Sequence, residues 1–348
     1  MNFRIQVAKT AWTVVALAAA VSITAAPAFA QQSATLIRVG YFPNLTHAQA
    51  LIGRANGQFE QALGAGVRLD WKAFNAGPLA IEALFAKAID IAYVGPNPAV
   101  TGYVRSHGEA LRVLAGAASG GASLVVRQGA GIHQAADFHG KRVATPQLGN
   151  TQDVALRAWM GANNLKPREK GGDVQVLPTS NADQLTLFLK GQLDAAWAPE
   201  PWAVRLVHEG GGRIFLDERD LWPNHEFAAA DLIVSAAFLK EHPGLVKNFL
   251  RAHVELTEWI NKNPAQAEQI LNQLLQKETG KLLPAEEMDD AFSRINFTCD
   301  PIRPALLKST QQAFDQGYLG RTPPDISGLF DLTLLNEILR EKKTRPVQ

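Results

Sequence analysis

Asn150, Thr151, Gln152 and Asp153 close a loop, TPQLGN, and open a helical run, TQDVALRAW. Asn150 suits the N-cap, and Asp153, three residues on, can reach back to it as a variant of the capping box. The first-turn N–H groups of Thr151 and Gln152 have no carbonyl partner inside the helix, and the positive end of the helix dipole favours an anion there. The side chains of Asn150, Thr151 and Gln152 add neutral donors, and Gln147 begins the same candidate binding loop, Gln147 to Gln152. The turn has no lysine, one glycine (Gly149) and no GxxxxGK[ST] pattern, and Asp153 opposes a highly charged guest. The chemistry expected is capture of a monoanion. A well-capped helix is complete without a ligand, so the reading depends on where the fold places this turn.

A second loop has the same character. Phe42-Pro43-Asn44-Leu45-Thr46-His47 offers Asn44 and Thr46 as cap-like donors and His47 as a partial positive charge, although a lone histidine there is more often a solvated surface group. Ser119-Gly120-Gly121 can present backbone N–H groups with no side chain in the way. Asn97 and Pro98 lie in a third loop, Gly95 to Pro98, and Glu200 and Trp202 in a fourth, Pro199 to Trp202. Phe42, Tyr93, Trp197 and Trp202 supply aromatic surface for an apolar tail. Tyr93 and Trp197 sit on strands and suit the core equally well, so Phe42 and Trp202 are preferred.

These loops must be positioned by strands and helices that alternate from Leu36 to about Phe215, which points to an α/β protein with mainly parallel sheets. Two blocks recur at an offset of 104 residues without a gap in register. IRVGYFPNLTHAQALI, from Ile37, aligns with KRVATPQLGNTQDVAL, from Lys141; LFAKAIDIAYVGPNPAV, from Leu84, aligns with FLKGQLDAAWAPEPWAV, from Phe188. The expectation is two similar lobes. Ligands of open parallel sheets sit beyond the carboxyl ends of the strands, so all four loops would line one cleft. The Ser119–Ser123 segment reads as the chain leaving the first lobe, and Asp231 to Ser235 as its return. The division expected is 1–30 signal peptide, 31–123 with 231–348 as lobe 1, and 124–230 as lobe 2, joined by a two-stranded hinge. From Pro243 onward the chain reads as helical, with Pro243, Pro264, Pro284 and Pro301 at or near helix starts.

The chain has 348 residues, 47% hydrophobic and 19% charged, enough for two lobes with proper cores. Arg4 and Lys9 precede an apolar run, Ala11 to Ala26, that ends in Ala28-Phe29-Ala30, the pattern of an export signal cleaved after Ala30. A lipid anchor is not expected, because the residue directly after that point is Gln31 and not a cysteine. Cys299 is the only cysteine, which excludes an internal disulfide and a thiolate metal cluster and leaves a buried structural thiol. The formal charge of +1, with scattered Lys and Arg, gives no footprint for nucleic acid. The eight histidines show no metal-ligand spacing, and no GxSxG nucleophile motif is present. Neither a cofactor nor a metal is expected.

The blocks IRVGYFPNLTHAQALIG, AKAIDIAYVGPNPAV, GKRVATPQLGNTQDVALRAWM and LDAAWAPEPWA, in this order, resemble the substrate-binding proteins of ABC importers for aliphatic sulfonates, taurine or nitrate. The resemblance covers about Leu36 to Lys342. It implies a type II periplasmic binding fold: two lobes that close on a small anion and then dock on a membrane permease, in a monomeric periplasmic protein. It also places the anion near Asn44, Thr46, Pro98, Ser119, Gly121, Asn150 and Thr151, with Glu200 and Trp202 near the tail. Within the same superfamily stand nitrate or bicarbonate binders, thiamine-pyrimidine binders and cysteine-rich pyrimidine-precursor synthases; a chain with one cysteine and an export signal argues against the last. A sensory lobe pair is a further alternative.

Overall fold

The computed structural model describes residues 35–348; the expected signal peptide and its cleavage point lie outside the described residues. The first part of the chain runs β1 (Thr35–Tyr41), α1 (Ala48–Asn56), α2 (Gln58–Leu63), β2 (Val67–Ala73), α3 (Gly77–Phe85), β3 (Ile91–Val94), α4 (Pro96–Arg105) and β4 (Leu111–Gly120). Then come β5 (Ala122–Arg127), β6 (Arg142–Thr145), α5 (Thr151–Ala162), β7 (Gln175–Pro178), α6 (Asn181–Leu189), β8 (Ala195–Pro199), α7 (Trp202–His208) and β9 (Gly212–Asp217). The chain continues with β10 (Ala228–Ser235), α8 (Ala236–Glu241), α9 (Pro243–Lys262), α10 (Pro264–Thr279), α11 (Ala285–Ser293), β11 (Ile295–Phe297), α12 (Arg303–Asp315) and α13 (Thr333–Glu341).

Two sheets form, ordered β11-β4-β10-β3-β1-β2 and β7-β6-β8-β5-β9. Each has a parallel half, β2-β1-β3 or β7-β6-β8, as helical crossovers dictate. The other halves are antiparallel, which corrects the expectation of mainly parallel sheets. β10 wedges between β3 and β4 and runs against both, β11 runs against β4, and β5 runs against β8 and β9. Hydrophobic pattern shows that a strand is buried but not which way its neighbour runs. β11 likewise corrects the all-helical reading of the chain after Pro243.

The four apolar clusters are the two faces of each sheet, as the period of two along a strand requires. Val39, Ile91, Tyr93 and Leu232 face α1, α9 and α10, whereas Ala92, Val94 and Ile233 face α4 and α12. In the smaller sheet Leu124, Val143 and Trp197 lie on one face and Val125, Ala144 and Ala196 on the other. Phe249 of α9 stacks on Phe59 of α2 at 4.2 Å between ring centroids, and burying such a ring contributes about 2–3 kcal/mol. Cys299 is half-buried against the same core.

The 104-residue offset is carried into atomic detail. Val39 pairs with Ile91 in one sheet and Val143 with Ala195 in the other. In the first lobe the Arg38 backbone N–H and Nε both donate to Asp90 Oδ2 at 2.8 Å, and Nη2 donates to Oδ1 at 2.6 Å. In the second, Arg142 repeats the three bonds to Asp194 at 2.9, 3.0 and 2.9 Å. Each guanidinium also donates to the carbonyl of the residue that turns the chain into its strand, Lys87 or Gly191, both with positive φ. The clamp explains why each strand is preceded by aspartate: its carboxylate fixes the register of the neighbouring strand through a backbone N–H as well as a side chain.

The chain leaves the larger sheet at Gly120 and enters the smaller at Ala122. Gly120 and Gly121 adopt φ of +79° and +74°, the left-handed region open to glycine. The return strand starts at Ala228, before the Asp231 expected from its apolar run. Among the described residues no helix is long and apolar enough to cross a membrane.

Candidate functional site

A cavity lies where the carboxyl ends of both parallel half-sheets meet. It holds about 440 Å³ of empty space, continuous with solvent. Helix starts converge on it: Thr46 from the short turn before α1, Gly77 of α3, Gly95 before α4, Thr151 of α5 and Asn181 of α6. Each presents the positive end of its dipole, and their summed field favours negative charge. No side chain that lines the cavity carries a formal charge.

The local sequence explains the donors. Asn150 caps α5 by accepting from Asp153 N at 2.9 Å, and its Nδ2 donates to Gln152 Oε1 at 2.8 Å, which leaves the Gln152 amide N–H₂ as the donating end. The Thr151 hydroxyl is buried without a partner. Asp153 does not reach back to Asn150 as a capping box would; Asn150 N donates to Gln147 O instead. The Asp153 carboxylate accepts from Thr145 Oγ1, Gly149 N, Arg157 Nε and Tyr318 Oη at 3.0, 3.0, 3.1 and 2.5 Å. Buried beside the Arg157 guanidinium it is neutralised, which removes the opposition to an anion expected of it.

Across the cavity Asn44 accepts from Trp202 Nε1 through Oδ1 at 3.2 Å, freeing its Nδ2 to donate. The expected partial positive charge on His47 is absent. Burial pushes its imidazole down to about 3, so it is neutral. Its Nδ1 accepts from Phe42 N at 3.2 Å, which puts the ring proton on Nε2 as a donor. Phe42 stacks against that ring, 4.4 Å between centroids.

Of the residues singled out in the sequence, Phe42, Asn44, Thr46, His47, Pro98, Gly121, Asn150, Thr151 and Gln152 line the cavity. The other five do not. Asn97 is spent on Ser309 of α12, accepting from its hydroxyl at 2.8 Å and donating to its carbonyl at 3.2 Å. Ser119 Oγ accepts from Phe227 N at 3.2 Å, and Gln147 contributes its carbonyl to the turn. Glu200, expected beside a ligand tail, is fully buried. Its Oε1 pairs with Arg294 Nη1 at 2.9 Å, its Oε2 accepts from Val204 N at 3.0 Å, and burial pushes its carboxyl up to about 7. Trp202 packs behind Asn44 with the Arg205 guanidinium over its ring, at 4.8 Å. Tyr93 and Trp197 are fully buried core.

Asn75, Ala76, Gly77, Gly95, Pro146, Asn181, Pro199 and Ala229 also line the cavity. The repeat carries a signal for most of them: Phe42 and Pro146, Thr46 and Asn150, His47 and Thr151, Gly77 and Asn181, and Gly95 and Pro199 are all separated by 104 residues, and both members of every pair line the cavity. The loops after β2 and β7 therefore belong to the site as equivalents of one another. Among the described residues no group of His, Cys, Asp and Glu could hold a metal ion.

Residues 30–275 match the model of the NMT1-like family. The taurine-binding periplasmic protein of Escherichia coli is 25% identical over 70% of this chain and 72% of its own. The alkanesulfonate-binding protein SsuA of Xanthomonas axonopodis pv. citri, solved bound to MOPS, superposes with a TM-score of 0.67 at 20% identity, covering 84% of this chain and 95% of that one. The periplasmic nitrate-binding protein NrtA of Synechocystis PCC 6803 gives 0.72 at 16% identity, covering 88% and 89%. The fold is that of the periplasmic binding proteins. With more than half of its length matched, the chain belongs to the NMT1-like family.

Proposed function

We propose that this protein is the periplasmic solute-binding component of an ABC importer, and that it takes a small anion, an aliphatic sulfonate, between two lobes and delivers it to a permease. The observation that carries the reading is the convergence of five helix starts on a cavity with no charged side chain. A field of oriented N–H groups and neutral amides holds a weakly hydrated monoanion without a countercharge that would trap it. Relatives and structural neighbours named for taurine, alkanesulfonate and nitrate support the same class of guest.

In this reading lobe 1 comprises 31–123 and 231–348 and lobe 2 comprises 124–230, each contributing one member of every repeated pair. A ligand that touches both favours the closed form by its differential affinity for it. No bond is made or broken, and the protein is monomeric, exported and cleaved after Ala30. The anion sits against Asn44, Thr46, His47, Gly121, Asn150, Thr151 and Gln152, with Phe42 and Pro98 flanking its first carbons. Nitrate is the second reading, favoured by the nitrate-binding protein among the structural neighbours.

Calorimetry on residues 31–348 with alkanesulfonates of rising chain length, taurine, nitrate and bicarbonate tests this. Sulfonate affinity that rises with tail length supports the proposal. Binding of nitrate or bicarbonate alone overturns the sulfonate assignment. Thr151→Glu, which puts a carboxylate among the donors, should abolish binding; full binding by that variant removes the α5 turn from the site.

A further inference from the structure

α12 ends on a fixed corner. Gly317, at φ +86°, donates its N–H to Phe314 O at 2.8 Å, and Tyr318 donates its own to Ala313 O at 3.0 Å, a Schellman motif. Leu319, next along, is buried with Ala99 and Val100 of α4 in a cluster on the larger sheet. Tyr318 is thus anchored to the larger sheet, yet its phenol bonds to a helix of the smaller one. Tyr318 Oη donates to Asp153 Oδ2 of α5 at 2.5 Å. Its ring lies 3.8 Å from the position that a methyl on Gly149 would take.

Asp153 organises the anion turn. Its carboxylate accepts from Thr145 Oγ1 and Gly149 N, its backbone N–H donates to Asn150 Oδ1, and Arg157 Nε supplies its cation. Those groups all belong to β6, α5 and the loop between them. Among the described residues Tyr318 is the one donor to this carboxylate from beyond β10. Asp153 is fully buried, and neither it nor Tyr318 lines the anion cavity. Burial and the neighbouring carboxylate push the Tyr318 hydroxyl well above its usual range, so it keeps its proton and donates. On the exposed surface beside this contact, Lys170 Nζ donates to Gln316 O and Oε1 at 3.0 and 3.1 Å.

We infer that Tyr318 is a positioning residue for the anion site: its hydroxyl closes on Asp153 as the lobes meet and holds the α5 turn, and with it the bound anion, without touching the ligand. The inference rests on the two-lobe, anion-binding reading above. When the lobes part, Thr145, Gly149 and Arg157 travel with Asp153, whereas Tyr318 stays with α12. The phenol–carboxylate bond, a charge-assisted one, is therefore made only in the closed form. It adds to the stability of that form and slows escape of the ligand, while encounter with the open form is left as it was. Because it acts from behind the turn, it strengthens the hold on every anion alike.

The test follows binding of butanesulfonate, taurine and nitrate by stopped-flow tryptophan fluorescence in the wild type, Tyr318→Phe and Lys170→Met, with thermal unfolding of each free protein. Tyr318→Phe keeps the ring against Gly149 and removes only the hydroxyl. It should speed dissociation about tenfold for each anion that binds, the scale of a hydrogen bond to a charged group, with the association rate and the free protein's Tm unchanged. Lys170→Met, which breaks only the exposed contact, should change dissociation by less than about twofold. Wild-type dissociation in Tyr318→Phe, an equal effect from Lys170→Met, or an effect confined to one anion overturns the assignment alone. A Tyr318→Phe protein that unfolds earlier when free, or does not fold, makes the hydroxyl a structural group and overturns it as well. Should the wild type bind none of the three anions, the anion-binding reading falls, and the role of Tyr318 with it.

Discussion

Gly95 ends the loop after β3, and Thr151 begins α5 on the smaller sheet. A methyl placed on Gly95 would stand closer than 3 Å to the Thr151 hydroxyl and 3.3 Å from its Cβ, while the nearest backbone, Ala229 O, lies at a comfortable 3.6 Å. Gly95 has ordinary extended dihedrals, φ −72° and ψ 160°, so Gly95→Ala introduces a clash without backbone strain. The clash exists only when the two loops are this close, so parting them relieves it. Overpacking of this kind costs about 1–3 kcal/mol. If closure carries the affinity, Kd rises about 5- to 150-fold at 1.4 kcal/mol per decade, while the unliganded protein keeps its Tm. The assay is calorimetric titration of the best-bound alkanesulfonate, with thermal unfolding of the free protein alongside. Thr151→Ala removes the atom that meets the new methyl, so the double variant should bind better than the two separate losses add up to, a positive coupling. Wild-type affinity in Gly95→Ala, or additive losses in the double variant, would refute the reasoning that these loops close on the ligand.

Three further outcomes follow from the geometry. Arg294→Met leaves the fully buried Glu200 without its cation and should destabilise the protein by about 2–4 kcal/mol in denaturant unfolding; a change in the rank order of ligands, with stability intact, would instead return Glu200 to the site. Arg142→Met breaks the clamp on Asp194 and should cost about 1–2 kcal/mol, since the backbone N–H bond to the carboxylate remains; no shift in the unfolding midpoint would show the clamp to be ornamental. Burial holds His47 down to about 3 and His253 to about 4, whereas an unfolded histidine titrates near 6.5. The unfolded chain then binds protons that the folded one refuses, so their contribution is complete above pH 6.5 and falls as pH drops toward 4, by up to about 1.4 kcal/mol per pH unit for each ring. His253→Gln should flatten that slope by one proton, and an unaltered slope between pH 6.5 and 4 would count against the neutral buried ring.

By itself the sequence determined the elements and the repeat. Strand and helix periodicity, the aspartates at 90 and 194 and the loops they precede are local signals, and an offset of 104 residues survives in the chain because the register of β1 with β3 and of β6 with β8 is the same pattern built twice. Asn150 was legible as a cap, and the neutral character of its turn as an anion seat, since first-turn N–H groups are a consequence of helix geometry alone. Tertiary structure decided what each polar group has left to give. Whether Glu200 faces a ligand or Arg294, whether Asp153 is left facing an anion or is occupied by Tyr318, and whether His47 is charged all depend on partners far away in sequence or on burial. The antiparallel course of β10 and the place of β11 are of the same kind, because strand pairing is set by neighbours that an individual strand does not encode. Glu218 is the sharpest instance: in FLDERDLW it is one acid among several, and only the packing of Trp197 against it makes it a buried carboxyl that accepts from an indole N–H.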